Sequence, residues 1–444
     1  MPSGLGLTVQ VWSSTDLRPL GQPVVAAGVP VGLVTEGRKL FLIGIDPATG
    51  RQLWKQEASP SAVTPGIPVS VDVIGDRVVY FRPDAAGELY ARLVVADPKT
   101  GNDLVASGPQ LFVSRPTACS RRPDDRDVCT VATASRSQTP RSHRLKVDTG
   151  QYVAEDTTVA AYTRSIGDGG LVDLGPRGPE YLAMIRDGNV AWRTPVTQAF
   201  PSGFSTDHGW NWRYRSEEHA FIGSIYGPTT QLPDGSRRRD LASGAAMAAL
   251  SETDGSVLWR DNGSSIDCDG TVSVSVPVRC RYRGSATYRT DRPASYEGLD
   301  VTIEGYDRRS GATTWSAPVG AVDVLVGGAS TGLLTAGETQ VVVPVPAGPV
   351  VIDLSTGTRQ AAAANAVFWC ASARREFEYE TPFVYQDGRT VTTRSGGTVA
   401  FTCDAQAKPA TGLPSASATK RIGANAGQFV VVASATGYTG YRIG

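Results

Sequence analysis

Short apolar runs, alternating with polar positions, are joined along this chain by compact polar turns, and one such join recurs. Residues 41–54 read FLIGIDPATGRQLW: an apolar strand, a turn closing on Thr-Gly, and a bulky residue four places after the glycine. The unit returns as LVVADPKTGNDLV (93–105), LKVDTGQYVA (145–154), YLAMIRDGNVAW (181–192), AALSETDGSVLW (248–259), TIEGYDRRSGATTW (302–315) and VVIDLSTGTRQA (350–361). A looser copy, VAFTCDAQAKPATG, occupies 399–412. Alternation of this kind predicts strands, because successive side chains on a strand point to opposite faces.

The turn glycines are Gly50, Gly101, Gly150, Gly188, Gly255, Gly311, Gly357 and Gly412, at intervals of 51, 49, 38, 67, 56, 46 and 55 residues. Four copies set a tryptophan four residues past the glycine: Trp54, Trp192, Trp259 and Trp315. Each part has a physical reason. Asp accepts hydrogen bonds from backbone N–H groups of its own turn, and Gly adopts the positive φ that a tight hairpin needs. The fourth residue then falls on a buried face, where an indole fills the wide gap between neighbouring sheets. About fifty residues hold four short strands and their turns, the size of one propeller blade.

The strand–Asp-x-x-Thr-Gly-x-x-x-Trp unit resembles the repeat of the PQQ-like β-propeller family, over roughly residues 22–444, and the chain looks like a BamB-type member. The expectation is one all-β domain spanning 1–444 with eight blades, or seven if the 38-residue interval is not a complete blade. TVQVWS (8–13) and the strands within 428–441 are expected to pair in one sheet, removing an exposed edge. PVPAGP (344–349) lies inside a repeat and reads as a turn.

Composition agrees with strands and turns. Among 444 residues are 49 Gly and 29 Pro, and only six of the 43 basic residues are Lys, a bias expected of a GC-rich, actinobacterial genome. Forty-three acidic residues cancel the basic ones, so no general electrostatic pull toward nucleic acid is expected. At 41% apolar residues the chain is too hydrophobic to be disordered.

The six cysteines fall into near-neighbour pairs, Cys119 with Cys129, Cys268 with Cys280 and Cys370 with Cys403. Disulfides are the favoured reading and six buried thiols the alternative. Disulfides imply export, either to the cell surface or to a periplasm-like space. The residues after Met1, Pro-Ser-Gly-Leu-Gly, have neither the basic nor the apolar part of a signal peptide, so any signal or membrane anchor is expected to be absent from this chain.

Enzymatic relatives within the resembled family hold a quinone and calcium, with adjacent cysteines over the cofactor. No two cysteines are adjacent here, and His143, His208 and His219 are the three histidines. No cofactor, metal or catalytic constellation is therefore expected. The acidic loop Asp124, Asp125, Arg126 and Asp127 reads as solvated, with calcium binding as its alternative.

The 67-residue interval carries the segments 201–221 and 233–240. Trp210, Trp212 and Tyr214 alternate with Arg213 and Arg215, which makes them partner-binding candidates, the alternative being packing on an adjacent blade. Arg237, Arg238 and Arg239 follow a Pro-Asp-Gly turn and are expected to be solvated, available to an acidic partner or to lipid headgroups. The resemblance implies a non-catalytic, protein-binding scaffold of the cell envelope, part of an assembly or secretion complex and held to a membrane by an anchor. The alternatives are a sensor or enzyme using a central channel, or the extracellular module of a larger membrane protein.

Overall fold

The computed structural model describes residues 8–61, 71–85, 87–119, 126–135, 138, 140–154, 163–166, 170–174, 179–186, 189–266, 276–289, 293–326, 334–371, 375–384 and 390–444. The chain is all-β, an eight-bladed propeller arrangement of small antiparallel sheets, with short helices at Val196–Ala199 and Ala416–Ile422. It divides into two compact units: Met1–Ala161 with Val367–Cys403 and Pro409–Gly444, and Tyr162–Ala366 with Asp404–Lys408.

Four blades belong to the first unit. One is Val24–Ala26, Val29–Glu36, Lys39–Ile45 and Gln52–Ala58; the next is Asp72–Ile74, Arg77–Asp84, Gly87–Ala96 and Asp103–Ala106. The third is built on Val128–Thr133, Arg141–Leu145 and Tyr152–Ala154, edged by Leu111–Phe112 and Thr117–Ala118. In the fourth the chain ends meet. Thr8–Ser14 pairs antiparallel with Tyr438–Ile443, which continues into Phe429–Ala433 and Ala424–Ala426. Core clusters lie between successive sheets: Val34, Ile43 and Ile45 of the first-described blade pack against Val431, Ala433 and Tyr438 of the terminal one.

The looser repeat at 399–412 does not build a blade of its own. Phe368–Ala371 pairs with Ala400–Cys403, and a single bridge joins Cys403 to Pro409. The eighth sheet is instead the one shared by the chain ends, whose hairpin closes on Ser434 and Gly437.

The second unit holds the other four. Thr163–Ser165, Leu171–Leu174, Tyr181–Arg186 and Asn189–Pro195 form a complete four-stranded sheet, so the 38-residue interval is a full blade. Leu334–Thr335, Gln340–Val343, Val350–Asp353 and Arg359–Ala361 form another, with 344–349 as the connection between two of its strands.

The two blades between them are laced together. Ser205–Arg215, Ala220–Tyr226, Ala245–Ser251 and Val257–Asn262 make one sheet. Inside it, between Tyr226 and Ala245, the chain leaves to form Thr230–Gln231 and Arg237–Asp240. The second of these pairs with Val278–Tyr288, the strand that also pairs with Ser295–Tyr306 of the next blade. Ser264–Ser265 is a two-residue piece on the same edge of Val278–Tyr288, and the inserted strand extends it. The long repeat interval is thus one blade carrying part of the next.

Cys119 is bonded to Cys129 and Cys370 to Cys403, across 10 and 33 residues of sequence. Cys280 is disulfide-bonded as well, and Cys268 lies outside the described residues, as do Gly188, Asp124 and Asp125. Structural disulfides of this kind belong to an oxidising, extracytoplasmic setting. Among the described residues no helix is long and apolar enough to cross a membrane.

Candidate binding site

The repeat hairpin is a blade-to-blade latch. In its turn, Asp97 Oδ1 accepts from the backbone N–H groups of Lys99 and Thr100, at 2.9 Å each, and from the Thr100 hydroxyl. Those bonds, the Thr100 backbone N–H first, hold the Asp97 carboxyl below its usual range. Gly101 then turns with φ of 70°. Its α-carbon faces the indole of Trp54 in the preceding blade, so closely that a Cβ would lie 2.6 Å from Cδ2. The same indole donates its Nε1–H to Pro98 O at 2.8 Å.

Trp192 donates likewise to Glu252 O and Trp259 to Arg308 O, each at 2.8 Å, while Gly255 and Gly311 cover their rings. Trp315 lies under Gly357. A further member, Trp12 in the N-terminal strand, donates to Pro47 O and is covered by Gly50. These five tryptophans are structural: each spans two sheets.

The aromatic trio separates. Trp212 is 1% exposed, edge-on to Phe200 at 5.9 Å, and its Nε1 is buried without a hydrogen-bond partner in the described structure. It belongs to the core and offers no surface to a partner, a correction to its candidacy. Tyr214 is half-buried and gives its hydroxyl to Glu252 Oε2 at 2.7 Å, where His219 Nδ1 also stands at 3.2 Å. Trp210 alone stays open, 37% exposed. Arg213 is exposed, and Arg215 is half-buried.

The arginine triplet lies in a strand, with Arg237 and Arg238 exposed as expected and Arg239 half-buried. Arg237, Arg238 and Arg239 lie in strand Arg237–Asp240, opposite Tyr288, Thr287 and Ala286. Arg238 reaches Glu297 at 3.0 Å and Ser285 Oγ at 3.1 Å. Arg239 turns inward over the rings of Tyr226 and Tyr288, 4.9 and 5.6 Å from their centroids. Stacking on aromatic faces suits the weakly hydrated guanidinium.

Trp210, Tyr226, Tyr288 and Arg239 line one cavity of about 390 Å³, with His208 at its rim and Tyr282 beneath. Two glycines make it possible: a Cβ at Gly209 would lie 3.0 Å from the Tyr226 ring, and one at Gly244 2.5 Å from Arg239 Cγ. The Tyr282 hydroxyl is tied to Leu325 O at 2.9 Å, which fixes the floor. The inserted strand is what brings the arginine to the aromatics. Sequence spacing places Trp210 and Arg239 in one repeat interval but gives no sign of Tyr282 and Tyr288, which come from the next blade.

A separate polar cluster lies inside that next blade. Arg279, 2% exposed, donates to Glu304 Oε2 at 2.9 Å, and Arg281 donates to Glu304 Oε1 at 2.8 Å and to both oxygens of Asp261. Burial favours the neutral form of Glu304, but the hydrogen bonds from Arg281 and Arg279 outweigh it and hold the carboxyl below its ordinary range. Its groups are mutually satisfied, and its role is to hold strands together.

A family model described as outer membrane protein assembly factor BamB matches residues 9–194. Among solved structures, BamB from Moraxella catarrhalis is similar at 13% identity and a TM-score of 0.38, covering 98% of this chain and 100% of its own. A europium-containing methanol dehydrogenase is similar at 11% identity and a TM-score of 0.35, covering 88% of this chain and 85% of its own. An uncharacterized protein from Listeria monocytogenes EGD-e has 10% identity and a TM-score of 0.39, covering 79% of this chain and 95% of its own. No curated protein matches the chain.

The eight small antiparallel sheets and the repeated hairpin define a β-propeller, and within it residues 9–194 match the model of the BamB assembly factor family. This chain's residues do not fit the quinone arrangement that the resemblance brings to mind. The six cysteines include no adjacent pair, and two of the pairs close at separations of 10 and 33.

Proposed function

We propose that this propeller is an exported, non-catalytic scaffold that binds protein partners at the cell envelope, within an assembly or secretion complex. The observation that carries this reading is the built, open pocket of Trp210 and Arg239, an aromatic–arginine surface of the kind that dominates protein interfaces. The disulfides support an extracytoplasmic place of action, and the assembly factor whose family model matches residues 9–194 supports a role in an envelope assembly. Fold likeness alone would not, since propellers serve many functions.

Affinity capture from the native envelope fraction tests it. The tagged chain should retain a defined protein partner that survives a salt wash, while incubation with pyrroloquinoline quinone and calcium should give no stoichiometric spectral change. A tight quinone complex together with no retained protein would overturn the proposal in favour of an enzyme.

A further inference from the structure

The Arg239 pocket has a charge that the fold leaves uncompensated. Arg239 makes no ion pair among the described residues; its Nη2 donates only to His208 O at 3.2 Å, and its Nε is buried without a hydrogen-bond partner. Neighbouring carboxylates are already engaged: Glu297 with Arg238, Asp234 with Arg289, and Asp240 with the Ser243 backbone and hydroxyl. Arg237, exposed on the same strand, has no acidic partner among the described residues either. An uncompensated guanidinium in an aromatic recess is costly unless a ligand supplies the anion.

The recess suits an acidic side chain with an apolar neighbour. The guanidinium stands over two tyrosine rings, and a carboxylate can accept two parallel N–H bonds from its planar fork. Trp210, open at 37%, provides a flat apolar face beside it. The volume of about 390 Å³ holds one or two side chains of a polypeptide. We propose that this pocket recognises an acidic peptide segment of the partner, an Asp or Glu carboxylate bound by Arg239 with an adjacent apolar side chain laid on Trp210. This rests on the scaffold reading and specifies the chemistry of the surface that the partner must offer.

A random octapeptide array, tethered in duplicate through either end, tests the inference on the whole chain. Wild-type protein should enrich Asp and Glu in the bound peptides roughly fivefold or more over their frequency in the array, beside an apolar residue, in both tethering orientations. Arg239→Gln should abolish that enrichment. Trp210→Ala, at an open position that leaves folding intact, should keep the acidic preference and lose the apolar one. No acidic enrichment, enrichment that Arg239→Gln leaves unchanged, or binding restricted to free C-terminal carboxylates would each overturn the proposal. Should the array fail while affinity capture still yields a partner that Arg239→Gln retains, the scaffold reading stands and this pocket assignment falls.

Discussion

Trp54 and Gly101 form one contact with two halves. The indole Nε1 donates to Pro98 O at 2.8 Å, and the bare α-carbon of Gly101 lies against the ring, where a Cβ would come within 2.6 Å. The glycine is thus required twice, for its φ of 70° and for its missing side chain. The hydrogen bond fixes the direction of the indole, and the glycine permits the distance.

This dual requirement predicts a graded cost for alanine. Gly101→Ala should lose roughly 2–5 kcal/mol, combining left-handed strain with a steric clash. Gly37→Ala has comparable strain, with φ of 58° and nothing within 4 Å of the added carbon. It should lose roughly 1–2 kcal/mol. Urea unfolding of the two variants measures the difference, and equal losses would remove the packing half of the contact.

Tryptophans in the chain should differ in what their N–H contributes. Trp259→Phe breaks the bond to Arg308 O and leaves that carbonyl without its donor, adding about 1–2 kcal/mol to the loss from lost volume. Trp212→Phe removes an N–H that is buried without a partner, so only the volume term applies. Trp259→Phe should therefore unfold at lower urea than Trp212→Phe.

The Glu304 carboxylate should show in the acid limb of stability. Its folded value lies below the ordinary 4.5, so its contribution is complete above that pH and fades as the pH falls toward the folded value. Glu304→Gln should cost roughly 3–5 kcal/mol at neutral pH, because Arg279 keeps its charge inside the blade. The gap between wild type and variant should then narrow as the pH is lowered from 5 to about 3. Thermal melts across that range report it, and a gap that stays constant would contradict the assignment.

Peptide mapping without reduction should join Cys119 to Cys129 and Cys370 to Cys403 and find no free thiol at Cys280. By chain entropy, removing the Cys370–Cys403 link should lower stability by roughly 3–4 kcal/mol. Free thiols at these positions would remove the export reading.

Much of the fold is readable because the hairpin signal is local. Asp46 and Gly50 are four residues apart, and the bonds from Ala48 and Thr49 to Asp46 Oδ1 involve no other part of the chain. The same local chemistry repeats at Asp97, Asp307 and Asp353, which is why most of the blades can be counted, while the eighth is made by the chain ends and not by the looser copy at 399–412. What escapes the sequence depends on distant partners. Trp12 does the work of the other bridging tryptophans, but its strand meets Tyr438–Ile443 by pairing of the chain ends and not through the repeat turn. The alternation of Trp210 and Trp212 assigns both to one face correctly, yet Phe200 covers only the second. Arg239 reads as solvated from its turn and is turned inward by pairing with a strand about fifty residues later.

Site-specific photocrosslinking tests the central claim most directly. A photoreactive residue at Thr230, exposed on the inserted hairpin that frames the pocket, should give one discrete adduct with an envelope protein in cells that make this chain, and Arg239→Gln should weaken it. The same group at exposed Leu104, in the other unit, should give none of that adduct. Absence of any adduct at Thr230, or the same adduct from both positions, would contradict a scaffold that meets its partner at this pocket.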